Sequence, residues 1–407
     1  MGADSDVSRH PHGSPPSPAT TALVERNPLF PDGLPVARPS FADPHGIADA
    51  LASVLASGVL TNGPVVRDLE EQAAAYLGVG HCVAVASCTA GLMLVLRCAE
   101  VNGDVIVPSF TFAATAHAVA WNGLRPVFAD IDPDTLTMSP ESASKMIGVR
   151  TGAILATHTF GTPCDVERLQ EVADERGLHL FFDAAHAFGS RRGDRAIGGF
   201  GDAEVFSLSP TKILVACEGG LIATNDDRLA AMCRVGRDYG NPGDYDCRFI
   251  GLNARMSEIH AAVAMASLHG VEERIEERNR LASAYRDVLE PVPGIRFPSV
   301  GDGDRSTYKD LTILVDEERF GLSAPDLGRE LALEGVETRR YYSPPVHTMQ
   351  AYRSLGSVNG ALPITTAIAE MTLTLPLWNG MSTGQVELVG RAIERIRAER
   401  ANSSRDA

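Results

Sequence analysis

Three stretches of the chain hold residue types that could do chemistry at the ends of strands. The first is Phe182-Asp183-Ala184-Ala185-His186-Ala187-Phe188-Gly189, where a hydrophobic run ends in a carboxylate and small residues follow. Open α/β sheets bind ligands at the carboxyl ends of their strands, and a carboxylate buried there is costly without a cation or metal. Taken alone, Asp183 could equally be the N-cap of the next helix. The second stretch runs Val205-Phe206-Ser207-Leu208-Ser209-Pro210-Thr211-Lys212, with Glu218-Gly219-Gly220 after it. Lys212 follows another strand end, among hydroxyls, with apolar Ile213, Leu214 and Val215 beside it. Partial desolvation lowers a lysine's pKa and favours its addition to a carbonyl; the bland alternative is an exposed loop lysine. The third stretch is Ala86-Ser87-Cys88-Thr89-Ala90-Gly91-Leu92, a strand end that leads into a helix. Free N–H groups and hydroxyls at a helix start bind anions, or simply cap the helix.

Together the three stretches supply what a phosphorylated pyridine aldehyde needs. A lysine forms the imine, a carboxylate keeps the ring nitrogen protonated, and a helix start grips the phosphate. The elements that must position them are legible. Short β-branched or aromatic runs occur at 81–86, 105–107, 126–129, 153–157, 178–182, 203–206 and 221–224. Helical patterns fill most gaps, at 65–77, 90–99, 113–121 and 166–176. This alternation predicts an α/β fold with a mostly parallel sheet of about seven strands flanked by helices. The short gap between the last two runs allows one antiparallel strand. An apolar-faced helix is predicted over 255–268, and a long charged amphipathic helix over 270–289. Beyond Pro291 the pattern becomes strand 308–315, helix 324–334, strand 336–341 and helix 385–399, a smaller α+β unit. The predicted organisation is a disordered tail over 1–22, a large domain over 23–270, and a linking helix with a small C-terminal domain over 271–400.

The totals narrow the partners. The chain has 407 residues with 36 Lys and Arg against 52 Asp and Glu, a net charge of −16. That disfavours nucleic-acid or anionic-membrane binding, which needs a basic face. No apolar run reaches the ~18 residues of a membrane span. The seven cysteines form no CxxC pair and fit no zinc spacing. Reduced thiols and no export signal predict a cytoplasmic protein without a metal. Cys88 and Cys217 lie near the motifs and read as small buried hydrophobes.

At this point the sequence resembles the DegT/DnrJ/EryC1/StrS family of sugar aminotransferases, within the fold-type I pyridoxal-phosphate (PLP) enzymes. The resemblance runs from about Leu60 to Met381 and rests on several motifs in order. They are Ser87 to Gly91, Pro108 to Thr115, Phe160 to Asp165, Asp183 to His186, Ser207 with Lys212, Glu218 to Gly220, and Asn253 to Glu258. It implies that Lys212 bonds the cofactor and shuttles a proton, and that Asp183 pairs with the pyridinium nitrogen. It implies that His186 bonds the ring oxygen and that Phe112 packs on the ring face. Thr89, Ala90 and Ser207 would hold the phosphate, and Asn253 would reach it from the other subunit of an obligate homodimer with shared sites. Without that resemblance, Phe112 reads as a core aromatic and Asn253 as a turn residue.

The resemblance also points to a reaction. Family relatives that dehydrate deoxysugars carry His at the Lys212 position, so lysine here implies transamination. The expected donor is an amino acid, glutamate, and the expected acceptor a nucleotide-linked keto-sugar. The stretches 110–115, 127–134, 182–187 and Tyr341-Tyr342-Ser343-Pro344 with His347 are most similar to enzymes acting on 4-keto-6-deoxyhexoses. TDP-4-keto-6-deoxyglucose is thus the expected acceptor, in deoxysugar biosynthesis for antibiotics or cell-surface glycans. A 3-keto-sugar or keto-cyclitol acceptor is the alternative. A PLP lyase, or a non-catalytic regulator on the same fold, represents the other classes.

Overall fold

The computed structural model describes residues 27–41, 43–353 and 361–403. The predicted tail, 1–22, lies outside them. The predicted seven runs all form strands of one sheet: β1 (His81–Val85), β2 (Asp104–Pro108), β3 (Arg125–Ala129), β4 (Thr151–Thr157), β5 (His179–Asp183), β6 (Ala203–Ser207) and β7 (Gly220–Thr224). Their spatial order is β1-β7-β6-β5-β4-β2-β3. The pairs β2–β3, β2–β4, β4–β5 and β5–β6 are parallel. β7 alone runs antiparallel, to both β6 and β1. Its inner strands are buried on both faces, as a parallel sheet covered by helices requires.

This direction reversal positions the lysine. The carboxyl ends of β1 and β6 and the start of β7 lie at one sheet edge, with Val85 and Ser207 both opposite Gly220. The connection 208–219 therefore leaves and re-enters the sheet on the same edge, and it carries Lys212. Gly220 is needed there, because a Cβ would lie 2.7 Å from the Cys88 nitrogen, at the start of the helix that follows β1.

Helices α1 (Pro44–Ser57), α2 (Pro64–Leu77), α3 (Cys88–Cys98), α4 (Ala113–Trp121), α5 (Pro140–Met146), α6 (Val166–Asp174), α7 (Asp227–Gly236) and α8 (Glu258–Leu268) surround the sheet. The helix predicted from Arg255 starts at Glu258, because the Ser257 side chain caps it by accepting from the His260 N–H. Glu258 also caps a second helix from outside. Its carboxylate accepts from the N–H groups of Gly63, Val65 and Val66 at 2.8–2.9 Å, the open start of α2.

The long helix α9 (Val271–Leu289) leads to a three-stranded antiparallel sheet, β8 (Ile295–Arg296), β9 (Leu311–Val315) and β10 (Thr372–Leu375). Helices α10 (Ala324–Leu333), α11 (Pro363–Met371) and α12 (Thr383–Ser403) accompany it. The strand predicted over 336–341 does not form. Only Val336 and Arg339 make bridges, to Leu34 and Thr374, and the chain then turns toward the larger sheet's edge. The strand that fills the predicted place is β10. Residues 28–38 pack on this second unit, with Phe30 and Leu34 in its core and the Trp378 indole N–H donating to the Pro35 carbonyl.

Candidate active site

A cavity of about 330 Å³ opens at the carboxyl edge of the large sheet. Thr89, Phe112, Asp183, His186, Ser207 and Lys212 all line it. Sequence reasoning named all six, and the fold brings them to one place from four different segments.

Asp183 ends β5 and is 4% exposed. Its Oδ2 accepts from the Thr115 hydroxyl at 2.7 Å and its Oδ1 from the Ala185 amide at 3.1 Å, with the Cys88 thiol 3.9 Å away. These partners are neutral. Burial accordingly holds the carboxyl above its usual range, and the Thr115 bond opposes that shift. A carboxylate so placed fits a ligand that brings a positive charge, such as a protonated ring nitrogen. Behind it the His158 N–H donates to the Asp183 carbonyl at 3.1 Å. The buried His158 imidazole is fixed in turn by Glu204, at 3.0 Å, and by the Cys164 amide, at 2.9 Å.

Lys212 is pulled down to about 8, chiefly by burial and next by the positive charge of Lys309. A lysine near that value is about one-tenth neutral at pH 7, far more than an ordinary lysine, and the neutral amine is the form that attacks a carbonyl. The whole chain has three lysines, Lys145, Lys212 and Lys309. Lys145 is exposed on α5, and the other two share this cavity.

His186 accepts from the Phe160 N–H through Nδ1, at 3.2 Å. Burial and the charges of Lys212 and Lys309 hold its pKa well below the ordinary value, so the ring is neutral. Its proton is then on Nε2, free to donate. Phe160 delivers its amide from a left-handed turn, φ 58°, and its ring lies nearly parallel to those of His186 and Tyr342. A non-glycine residue in that conformation is strained, as is common at functional sites.

The turn into α3 divides its work. Ser87 Oγ accepts from the Ala90 N–H at 3.1 Å, so the amide of Ala90 is used within the helix cap. Thr89 and Ser87 face the cavity, as does Ser207. Phe112 is 64% exposed at the start of α4, a ring open to a ligand rather than packed in the core. Asn253 does not line the cavity of its own chain. It is exposed, bridges Asp238, and its side-chain oxygen accepts from Arg255 at 3.5 Å.

Sequence reasoning missed Lys309 and Asp310, which line the cavity beside Tyr341 and Tyr342. Adjacent opposite charges before a strand read as a solvated edge, and nothing local in the sequence marks them otherwise. Among the described residues no cluster of metal-ligating side chains occurs and no helix is long and apolar enough to cross a membrane.

A model of the DegT/DnrJ/EryC1/StrS aminotransferase family matches residues 44–394. The dTDP-4-amino-4,6-dideoxy-D-glucose transaminase of Escherichia coli is 32% identical over 352 residues, 86% of this chain and 95% of that protein. The erythromycin biosynthesis sensory transduction protein EryC1 of Saccharopolyspora erythraea is 36% identical, over 81% of this chain and 90% of its own. Among solved structures, DesI in the presence of its TDP-sugar product superposes with a TM-score of 0.88 at 38% identity, covering 93% of this chain and 97% of that one.

Proposed function

The chain belongs to the DegT/DnrJ/EryC1/StrS aminotransferase family, in which PLP-dependent sugar aminotransferases are its relatives, and on that premise we propose that it aminates TDP-4-keto-6-deoxyglucose at C4 with glutamate as donor. The observation that carries this reading is the convergence of Lys212, Asp183 and His186 on one cavity that also holds the Ser87–Thr89 helix start.

The residues fit PLP. When bound, it would supply an aldehyde carbon to carry the amino group and a ring to take up electrons from the substrate. Lys212 would hold it and, once released, move a proton between the substrate carbon and the cofactor carbon. Asp183 would keep the ring nitrogen protonated, in surroundings where that cation relieves its burial. The Nε2–H of His186 would donate to the ring oxygen. Thr89, Ser87 and Ser207 would hold the phosphate by hydroxyl and helix start, and Phe112 would cover a ring face.

Two features support a homodimer with shared sites. Asn253 stands on the surface, away from its own cavity, where it could serve a second copy. Trp121 and Ile250 are 77% and 80% exposed and line one cleft, an apolar surface suited to cover by a partner. The proposed division at 270/271 into a large domain and a linking helix with the small domain is kept, but residues 28–38, counted with the large domain over 23–270 by the sequence, pack on the small one. The sugar acceptor follows the names of the E. coli transaminase and of DesI, both tied to dTDP- or TDP-sugars. A cytoplasmic role in deoxysugar biosynthesis for an antibiotic suits EryC1 as a relative.

The test is spectroscopic. Glutamate should bleach the visible band of the PLP-loaded protein, and TDP-4-keto-6-deoxyglucose should restore it. Restoration only by a 3-keto-sugar or a keto-cyclitol would move the assignment to that acceptor. If no amino donor bleaches the band, the transaminase assignment gives way to a lyase.

A further inference from the structure

Lys309 Nζ donates to Asp310 Oδ1 at 2.7 Å, and each residue is 8% exposed. Their backbone is held firmly. The Lys309 N–H donates to the Phe160 carbonyl at 3.1 Å, and the Arg278 guanidinium donates to the carbonyls of Tyr308 and Lys309 at 3.0 and 3.1 Å. The second carboxylate oxygen of Asp310 is enclosed and has no hydrogen-bond partner. Buried polar atoms are nearly always paired, so an orphan on a residue that lines the cavity calls for an explanation. The Tyr341 ring, 5.6 Å from Lys309 Nζ, borders the same wall.

We propose that Lys309 and Asp310 together read a ring hydroxyl of the acceptor. This rests on the keto-sugar reading above. A hydroxyl can donate to Asp310 and accept from Lys309 at once. A site built around such a bond rejects the analogue that lacks it, because its own buried groups are left unpaired.

The experiment is calorimetric titration of the PLP-loaded protein with TDP-6-deoxyglucose, its 2-deoxy and 3-deoxy counterparts, and TDP alone. On the wild-type protein, one of the two deoxy ligands should bind at least about tenfold more weakly than TDP-6-deoxyglucose. Asp310→Asn should lower affinity for TDP-6-deoxyglucose by a similar factor and bring it level with that deoxy ligand, while TDP binds both proteins alike. Three sugar ligands binding the wild type within about twofold of one another overturn the assignment. So does an Asp310→Asn protein that discriminates as the wild type does. If the variant does not fold, the wild-type deoxy series decides alone. If wild type binds neither TDP nor TDP-6-deoxyglucose, the nucleotide-sugar reading itself fails and this assignment falls with it.

Discussion

The Phe160 amide donates to His186 Nδ1 at 3.2 Å, and this one bond sets which nitrogen of the imidazole faces the cavity as a donor. The neutral ring has a single proton, and it must sit on Nε2. His186→Gln keeps a donor of similar reach and should retain PLP with little loss. His186→Phe keeps the stack on Phe160 but not the donor, and should weaken PLP binding by about 1–2 kcal/mol, roughly five- to thirtyfold. Equilibrium dialysis with PLP checks both. Equal losses in the two variants would mean that the ring's packing matters and its proton does not.

Lys212 gives a pH dependence with a definite sign. Its value near 8 means that the neutral amine grows as pH rises through 8. The rate at which apo protein captures PLP should therefore rise about tenfold between pH 7 and pH 9 and then level. Lys309→Met removes a positive charge that depresses Lys212, so the midpoint should move up. Stopped-flow absorbance measures it, and a midpoint moving down would contradict the assigned electrostatics.

Glu258 predicts a stability effect without a change of chemistry. It satisfies three amides at the start of α2, where the N-cap Gly63 has no side chain to do so. Glu258→Ala should cost about 3 kcal/mol in urea unfolding, since two buried donors and one half-buried donor lose a charged acceptor. Gly63→Ala should also destabilise, because its Cβ would lie 2.7 Å from Glu258 Oε2.

Asn253 tests the shared site. Lys212→Ala and Asn253→Ala proteins should each be nearly inactive. Unfolded together and refolded as a mixture, they should regain about a quarter of wild-type activity, because half the dimers are mixed and each holds one complete site. No regain on mixing would place Asn253 in service of its own chain.

Much of this was legible in the sequence, for physical reasons that differ by residue. The seven strands and the large helices show because buried parallel strands and amphipathic helices have different periods. The antiparallel β7 shows only as the shortest gap between the runs. The strand order does not show, since pairing is decided by contacts remote in sequence. The residues 336–341 read as a strand, yet their one bridge to the small sheet is that of Arg339 with Thr374. Of the site, Asp183 and Lys212 show as a carboxylate and a lysine after strand ends, each alone also readable as a cap or a loop residue, while the roles of His186 and Ser207 are legible only through the family resemblance. Ala90 was placed on the phosphate, where its amide instead meets Ser87. Lys309 and Asp310 stay hidden because a charge pair next to a strand reveals its burial only once β9, α9 and Phe160 are packed around it.

The central claim is that Lys212, and not the second lysine of the same cavity, holds the cofactor. Borohydride reduction of the PLP-loaded protein, followed by proteolysis and mass spectrometry, tests it most directly. With only three lysines in the chain the answer is unambiguous. The predicted result is a pyridoxyl-phosphate adduct on the Lys212 peptide alone, with loss of the visible band in Lys212→Ala. An adduct on Lys309, or no adduct and no visible band in wild-type protein saturated with PLP, would contradict the account.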